Sequence, residues 1–359
     1  MKPRLFVMAG TVTALGIVLS LAACSPVYKP GSLSGLEAVG KLVLDPPEQS
    51  QDPWTTRGDW ELEPGVMIRH VSEGKGPAVL VLHGGPGAPS DQAWEGLSSL
   101  EGRWLFVYPQ TRGSGSSTRT VDRWESGDWS RNVAEMEARL GLSAQVADIE
   151  RTRRLLGLEK LTIIAHSYGG LLALLYAVEF PSRVERLVLV SPATMLRMPP
   201  PAGADLYSLV EAKLSGQEKE SFIAWKKRFF DYSRLWSWSE ADWRAANEDF
   251  LPYFIQASSK AGASWGSEPL PLPAGGLGGW VQPASFFSLG RDYDLRPLAA
   301  KLSCPVRLLV GDRDLIPSVA WEDWRHSIPD LREYSLEGAG HFPMRDGRFA
   351  ALVARALEE

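Results

Sequence analysis

Ten residues in the middle of the chain, Leu161-Thr-Ile-Ile-Ala-His-Ser-Tyr-Gly-Gly170, decide the fold of this protein. The apolar run over Leu161–Ala165 predicts a strand buried on both faces, and the stretch from Leu171 to Phe180 predicts a helix. The sharp turn between them is rich in small residues and lifts a serine hydroxyl above the edge of the sheet, at the N-terminus of the helix. This arrangement predicts that Ser167 is a nucleophile.

Comparable apolar runs recur on both sides of this turn and alternate with helical patterns. The other predicted strands are Ala78–Leu82, Trp104–Tyr108, Leu187–Val190, Val306–Val310 and Leu331–Leu336. The predicted helices are Ser143–Leu156, Tyr168–Phe180, Val319–His326 and Asp346–Leu357. The alternation predicts an α/β fold, with a mostly parallel sheet and helices on both faces.

A glycine-rich turn, His83-Gly-Gly-Pro-Gly87, directly follows the first of these strands. Such a turn can aim a backbone N–H at a carbonyl under attack. We expect the N–H groups of Gly85 and Tyr168 to form an oxyanion hole. His83 is expected to satisfy backbone groups of its own loop.

A serine hydroxyl needs a base to remove its proton and an acid to orient that base. Both residue types follow in the chain order Ser, Asp, His, at Gly311-Asp-Arg-Asp314 and at Gly340-His341. We expect His341 to be the base and Asp314 the acid, with Asp312 as the alternative acid.

At these motifs the chain resembles the α/β-hydrolases, and within that fold the proline iminopeptidase family of serine aminopeptidases. The motifs that carry the resemblance are His83–Gly87, Arg112-Gly-Ser-Gly-Ser116, Asp148-Ile-Glu-Arg151, Ser167–Gly170, Asp314 and His341. The chain departs from the family at Gln110-Thr111, where Asp-Gln is usual, and at Ala165, where glycine is usual. The stretch from Trp124 to Leu142 looks inserted relative to the family.

Residues 193–293 change character, with many tryptophans and a Pro/Gly-rich stretch, and predict a helical cap inserted between two parts of the core, 61–192 and 294–359. Within the cap, Trp236-Ser-Trp-Ser-Glu240 resembles the family's segment that receives the free amine of the substrate. The resemblance therefore implies substrate-binding roles for Glu240 and, as a second candidate, Glu248; a solvated acid at a helix start is the alternative for Glu240.

The N-terminus has the layout of a secretory signal, with Lys2 and Arg4 before an apolar run from Leu5 to Leu21. The ending Leu21-Ala-Ala-Cys24 resembles the lipobox of bacterial lipoproteins, which implies that residues 1–23 are removed and that Cys24 carries the acyl chains. An ordinary cleaved signal and an uncleaved anchor helix are the alternatives. Residues 24–60 are expected to be a tether followed by a packed segment that leads into the domain. The expected location is the outer membrane in a Gram-negative source, or the outer face of the plasma membrane in a Gram-positive one.

The composition is that of a folded globular protein, with 44% hydrophobic and 23% charged residues among 359. A net charge of -5 and the lack of a basic block argue against a nucleic-acid partner. The 2 cysteines and 5 histidines show no metal-ligand spacing, so neither a metal nor another cofactor is expected.

Together these features predict a membrane-anchored serine hydrolase that acts through an acyl-enzyme on a small peptide or ester. The resemblance narrows this to an aminopeptidase that releases an N-terminal residue, with proline as one candidate, from short peptides. A carboxylesterase or lactonase with the same triad is the first alternative, and a catalytically silent binding lipoprotein is the second.

Overall fold

The computed structural model describes residues 26–263, 268 and 270–359, which form an eight-stranded sheet flanked by helices. The strands are β1 (Arg57–Glu63), β2 (Val66–Gly74), β3 (Ala78–Leu82), β4 (Leu105–Pro109), β5 (Leu161–His166), β6 (Val184–Val190), the short pair β7 (Arg197–Met198) and β8 (Tyr293–Asp294), β9 (Val306–Gly311) and β10 (Leu331–Leu336). β7 and β8 pair only with each other, and the large sheet has the order β1-β2-β4-β3-β5-β6-β9-β10. β2 is antiparallel to β1 and β4, and the remaining neighbours are parallel. The predicted α/β-hydrolase fold is therefore confirmed.

The edge hairpin of β1 and β2 was not predicted. Its signal was present in the alternation of buried Trp60 and Leu62 with more exposed glutamates, followed by a turn at Gly65. The proline-rich residues before the hairpin are typical of an irregular segment, and for this reason no strand is predicted from the sequence here.

The helices that surround the sheet are of two kinds, those that cover its faces and those that form a cap. In chain order they are α1 (Leu33–Ala38), α2 (Trp129–Leu140), α3 (Leu142–Leu155), α4 (Tyr168–Glu179), α5 (Leu206–Lys213), α6 (Gly216–Phe229), α7 (Glu240–Glu248), α8 (Leu251–Lys260), α9 (Val281–Ser288), α10 (Arg296–Ala299), α11 (Glu322–Ser327) and α12 (Arg348–Glu358). α3 and α4 pack in the hydrophobic core on one face of the sheet, and α12 packs on the other. α4 is apolar all round and fully enclosed, as its continuous apolar sequence requires.

The N-terminal segment is packed against the domain from Val27 onward. Tyr28, Leu33 and Leu44 are buried in the same core as α3 and α4. The buried carboxylate of Glu179 accepts hydrogen bonds from the Tyr28 hydroxyl at 2.5 Å and from the Leu33 N–H at 2.9 Å. The described part of residues 24–60 is thus packed against the domain through buried Tyr28, Leu33 and Leu44, while other apolar side chains of the same segment stay exposed.

Residues 193–293 contain helices α5 to α9, and the β7–β8 pair joins the chain where it leaves the sheet and where it returns. Aromatic side chains form the core of this layer, including Trp225, Phe229 and Trp243. The stretch 124–142 contributes α2 to the same core, with the Trp129 ring 5.0 Å from that of Trp236. In space, the stretch that looked inserted is part of the base of the cap.

Candidate active site

Ser167 occupies the turn between β5 and α4 with a φ of 51°, a left-handed conformation that costs energy for a residue other than glycine. The neighbouring backbone comes very close, because a Cβ on Gly169 would lie 2.7 Å from the His83 carbonyl oxygen and one on Gly170 2.7 Å from a carbon of Pro192. Ala165 is fully buried, so the core accommodates the methyl group that replaces the usual glycine. The turn leaves the Ser167 side chain partly exposed, on the wall of a cavity.

His341 lies on the wall of the same cavity and is paired with Asp314. The two residues follow the adjacent parallel strands β10 and β9, whose ends meet at one edge of the sheet. The distance from His341 Nδ1 to Asp314 Oδ2 is 2.9 Å, and the Asp314 side chain is fully buried. The other Asp314 oxygen accepts the Ile316 N–H at 3.0 Å. This pairing places the proton on Nδ1 and leaves Nε2 free to act as a base.

Asp312, the alternative acid, has a different partner. Its Oδ1 accepts the N–H of Gly338 at 2.7 Å, which ties together the two loops that carry Asp314 and His341. The residue is exposed to solvent. The structure therefore places Asp314, not Asp312, on the imidazole.

The glycine-rich loop after β3 packs directly against Ser167. A Cβ on Gly84 would lie 3.2 Å from Ser167 Cβ, and Gly85 has a φ of 123°, which a side chain rarely permits. Gly85 lines the cavity together with Ser167. Tyr168 is the first residue of α4, so its N–H has no partner within the helix. Both expected oxyanion donors thus belong to segments that flank the Ser167 side chain.

His83 holds this loop in place, as expected. Its Nδ1 is 2.8 Å from the Gly84 carbonyl oxygen, and its Nε2 accepts the Thr111 N–H at 3.0 Å. The Thr111 hydroxyl also lies 2.6 Å from Nε2. Burial lowers the pKa of His83 to about 4, so the imidazole is neutral at neutral pH. Thr111, one of the departures from the family pattern, is therefore the partner of this histidine.

His166 is a site residue that the sequence analysis did not assign. Its Nε2 lies 2.8 Å from the carbonyl oxygen of His341, and the two rings are 4.9 Å apart. Burial and the neighbouring His341 lower the pKa of His166 well below its usual value. A neutral His166 can donate to this carbonyl, so it links the Ser167 turn to the loop of His341. Its position at the end of β5, directly before Ser167, was the available signal.

The cavity above Ser167 has a volume of about 160 Å3 and lies between the sheet edge and the cap. Its walls are mostly aromatic and aliphatic. They include Trp94, Leu206, Tyr207, Trp225, Phe229, Phe250, Leu251, Phe254, Leu270, Leu272, Leu277 and Phe342. The polar side chains on the walls are those of Ser167, three histidines, Tyr207, Asn247 and Gln282. Among the described residues that line the cavity, none is an Asp, Glu, Lys or Arg.

Glu240 does not reach this cavity. It is buried at the start of α7, where its carboxylate accepts the Gly279 N–H at 2.8 Å and the Trp280 N–H at 2.7 Å and pairs with Arg119. Burial raises the pKa of Glu240, against the opposing effect of these donors. Glu240 thus supports a backbone segment and does not line the cavity that contains Ser167. Because it is buried, it is also not the solvated acid considered as the alternative.

That segment, residues 273–279, is called the strap below. It crosses from the cap to the glycine-rich loop after β3, where the Gly278 N–H donates to the Gly87 carbonyl at 2.8 Å. Glu248, the second predicted substrate-binding residue, accepts the Leu277 N–H at 3.1 Å and is likewise not on the cavity wall. Asn247 donates to the Gly278 carbonyl at 2.6 Å. Both glutamates thus support the strap instead of lining the cavity.

The Arg112 and Asp148 motifs form a buried ionic network below the site. The Arg112 guanidinium donates to both carboxylate oxygens of Asp148 and, at 2.6 Å, to Glu63. Arg151 bridges the same two acids. These residues support the Arg112–Ser116 turn, and none of them lines the cavity.

The remaining sequence-based expectations concern metals and membranes. Within the described ranges, no group of His, Cys, Asp or Glu could hold a metal ion. No helix in that part of the chain has the length and apolar character needed to cross a membrane. Cys24 and the predicted signal, residues 1–23, lie outside the described residues, and Cys304 is buried.

The chain belongs to the α/β-hydrolase fold family, whose sequence model matches residues 77–347. The match covers the nucleophile turn, the cap and both residues of the Asp314–His341 pair. The protein is accordingly a hydrolase of the α/β fold.

Among individual proteins, the chain is similar to the proline iminopeptidase of Lactobacillus delbrueckii subsp. bulgaricus, with 24% identity over 303 residues, 80% of this chain and 90% of that protein. Two solved structures share the fold. An esterase from Thermogutta terrifontis has a TM-score of 0.52 and 21% identity, covering 84% of this chain and 98% of that one. The proline iminopeptidase of Mycobacterium smegmatis has a TM-score of 0.53 and 17% identity, covering 81% and 94%.

Proposed function

We propose that this protein is a serine hydrolase that forms an acyl-enzyme on Ser167, with His341 as the base and Asp314 as the acid that orients it. The observation that carries the proposal is the arrangement of these residues at one sheet edge. A strained serine turn and a histidine held at 2.9 Å by a buried carboxylate share one cavity.

In this mechanism His341 Nε2 removes the hydroxyl proton as Ser167 Oγ attacks the substrate carbonyl carbon. The carbonyl oxygen becomes negatively charged and receives hydrogen bonds from the N–H groups of Gly85 and Tyr168. The imidazolium then protonates the leaving group, which departs and leaves the acyl group on Ser167. His341 next removes a proton from water, whose attack releases the acid and restores the hydroxyl. No cofactor is required by these steps.

The substrate class that fits the cavity best is a carboxylic ester with an uncharged, largely apolar acyl group. Apolar walls favour such a group, since burying it removes apolar surface from water. An ammonium group buried there would lack a carboxylate partner among the described lining residues, and desolvating an unpaired charge is costly. Both glutamates that the family resemblance suggested for this role are engaged with the strap.

Aminopeptidase activity is the second candidate, and the similarity over 90% of a proline iminopeptidase supports it. An aminopeptidase must bind a free amine with a pKa near 7.7–8.0, which is mostly cationic at neutral pH. In this cavity the groups best able to accept hydrogen bonds from such an amine are the side-chain amides of Asn247 and Gln282. Because these amides are neutral, an aminopeptidase with this cavity would prefer the charged amine over an acetylated amine only weakly.

The experiment compares chromogenic esters with aminoacyl anilides of matched size, each with the free and the acetylated amine. We expect that, for a given leaving group, the acetylated substrate is hydrolysed at least 10-fold more efficiently, by kcat/KM, than its free-amine form, roughly the value of one unpaired charge. Preferential cleavage of the free-amine prolyl anilide would instead select the aminopeptidase. Labelling by a fluorophosphonate probe, lost in Ser167→Ala, tests the nucleophile separately. An unlabelled and inactive wild-type protein would select the silent binding protein.

The same Ser167→Ala variant makes a quantitative prediction. We expect kcat/KM for the best ester to fall by roughly 10³-fold or more, because no other group can form the acyl-enzyme. Circular dichroism should show an unchanged fold, since the Ser167 hydroxyl faces the cavity. Undiminished turnover by the purified variant would refute the assignment of the nucleophile.

A further inference from the structure

Exposed apolar side chains are concentrated near the N-terminus of the described chain. Single exposed apolar side chains are common, but several that lie together mark a surface that contacts a partner or a membrane. Four large hydrophobic side chains between residues 27 and 43 are substantially exposed, namely Val27 at 39%, Leu36 at 37%, Val39 at 65% and Val43 at 67%. We call these four side chains the anchor face.

Two ionic contacts hold the parts of this face together. The Arg154 guanidinium lies 2.7 Å from a carboxylate oxygen of Glu37 in α1 and 2.7 Å from one of Asp45. Glu37 is flanked in sequence by Leu36 and Val39, and Asp45 lies two residues after Val43. Because one guanidinium binds both carboxylates, the two apolar segments lie on a common surface.

The start of the anchor face is fixed close to the predicted lipid attachment. Val27 donates its N–H to the Ser288 carbonyl at 3.1 Å, and the next residue, Tyr28, reaches the buried Glu179. Only two residues separate Val27 from Cys24, so the chain between them spans about 10 Å at most. Acyl chains on Cys24 would therefore hold this side of the domain within reach of the bilayer surface.

Charge favours the same partner. Lys29 and Lys41 are exposed on the segment that carries the anchor face, and the guanidinium of Arg154 binds the two acidic residues of this segment, Glu37 and Asp45. Lysine side chains can place their stems along apolar surface and their ammonium groups among lipid phosphates. The segment thus combines exposed apolar side chains with exposed lysine ammonium groups.

The anchor face and the cavity lie toward opposite ends of α4. Ser167 immediately precedes this helix, and Glu179, which holds the N-terminal segment, is its last residue. The 12 residues of α4 correspond to a length of about 18 Å. Arg154, which binds Glu37 and Asp45, lies at the C-terminal end of α3. The chain continues from there to the start of β5, at the edge of the sheet opposite the cavity.

We propose that the anchor face rests on the phospholipid bilayer into which acylated Cys24 inserts, and that the cavity consequently opens away from the membrane. The protein then draws its substrates from the aqueous phase and not from the lipid layer beneath it. This inference rests on the predicted lipidation of Cys24 and is independent of which acyl substrate the site takes.

The test places a reporter on each side of the molecule in the full-length, acylated chain. Val39→Cys puts a thiol on the anchor face, and Val319→Cys puts one on an exposed valine, 53% accessible, in the short 3-10 helix Ser318–Trp321 that follows β9 and Asp314. Cys304 does not interfere because it is buried and its thiol pKa is raised to about 11. Each variant carries an environment-sensitive fluorophore and is reconstituted into phosphatidylethanolamine–phosphatidylglycerol vesicles with a nitroxide quencher in the acyl region.

We expect the nitroxide lipid to quench the label at position 39 at least two-fold more than the label at 319. Val43→Cys should behave like Val39→Cys and serves as the second reporter if either variant misfolds. Equal quenching, stronger quenching at 319 or failure of the chain to float with vesicles would overturn the proposal. A dimer in detergent, in which the label at position 39 of each copy is shielded from solvent by the other copy, would also overturn the proposal. A second copy of the chain would then cover the anchor face. The readout needs no turnover, so its outcome is distinct from that of the hydrolase assays.

Discussion

Asp314 and Asp312 differ by two positions in the chain, yet only the first touches the imidazole of His341. We predict that Asp314→Asn lowers kcat/KM for an ester substrate by roughly 10³- to 10⁴-fold, because an amide nitrogen facing Nδ1 favours the wrong tautomer of the base. The measurement is steady-state hydrolysis by purified variants whose circular dichroism matches that of the wild type.

Asp312→Asn provides the matched control for this substitution. Its role is to accept the Gly338 N–H through Oδ1. An asparagine oxygen can accept the same hydrogen bond, so the activity should stay within a few-fold of wild type. If the two variants ranked in the reverse order, Asp312 would become the orienting acid and the observed pairing at 2.9 Å would not be the productive one.

The strap connects the cap to the glycine-rich loop after β3, and its support by Glu240 leads to a second prediction. In Glu240→Gln an amide NH2 would face one of the two backbone donors, Gly279 or Trp280, leaving a buried donor without an acceptor, at a cost of about 1–3 kcal/mol. We expect a fall in Tm of several degrees. We also expect equal losses of kcat for esters and for free-amine substrates, because Glu240 is not on the cavity wall and acts only through the strap, which contacts the loop of Gly85 and lines the cavity at Leu277 for either substrate.

Glu248→Gln is the control for this element. Glu248 is half-buried and accepts one strap N–H, that of Leu277, which the glutamine oxygen can still bind. Its Tm should change by much less than that of Glu240→Gln. A rise in KM confined to free-amine substrates in Glu240→Gln would contradict the strap role and restore the amine-binding role implied by the family resemblance.

Acid sensitivity is a property of the whole domain, since three of the five histidines are held neutral by burial. The pKa values of His70, His83 and His166 are all lowered in the folded chain, that of His83 to about 4. Below pH about 6.5 the unfolded chain binds protons that the folded chain does not, so the free energy of unfolding falls as the pH falls. For His83 the loss is completed near pH 4 and amounts to roughly 3 kcal/mol.

Thermal unfolding at about pH 7 and about pH 5 measures this effect above the ordinary pKa values of Asp and Glu near 4. Glu240, whose pKa is raised by burial, acts in the opposite direction, because its protonation at falling pH favours the folded chain. His83→Asn should flatten the dependence of Tm on pH, whereas replacing the exposed His326 by Gln should not. A Tm that is constant over this interval in the wild type would show that the histidines are not buried in their neutral form.

Attachment to a membrane is predicted for the intact chain. Cys24→Ser should release the protein into the soluble fraction of cells, because the described domain contains no helix able to cross a bilayer and the acyl chains would be absent. Fractionation followed by immunoblotting measures the release. A variant that stays in the membrane would show that the apolar run Leu5–Leu21 persists as an anchor.

Local patterns were sufficient to predict the parallel strands of the sheet, though not the β1–β2 hairpin, and to select Ser167, Asp314 and His341. Each of the three lies at or just beyond the end of a strand, and parallel strands bring their carboxyl ends to one edge, so consecutive residues carry the necessary information. β3 and β10 were predicted with the bounds that the structure shows. The strong apolar runs and the glycine turns specify these features without reference to distant contacts.

The roles of Glu240 and of the N-terminal segment were decided only by the tertiary structure. Glu240 binds N–H groups 39 and 40 residues away, and Glu179 holds Tyr28 across 151 residues of chain. The partners are backbone or hydroxyl groups, which every segment contains and no pattern distinguishes. A carboxylate next to tryptophans therefore looks the same in the sequence whether it binds a substrate amine or a glycine N–H, and only the packing of the cap against the sheet determines which donor it meets.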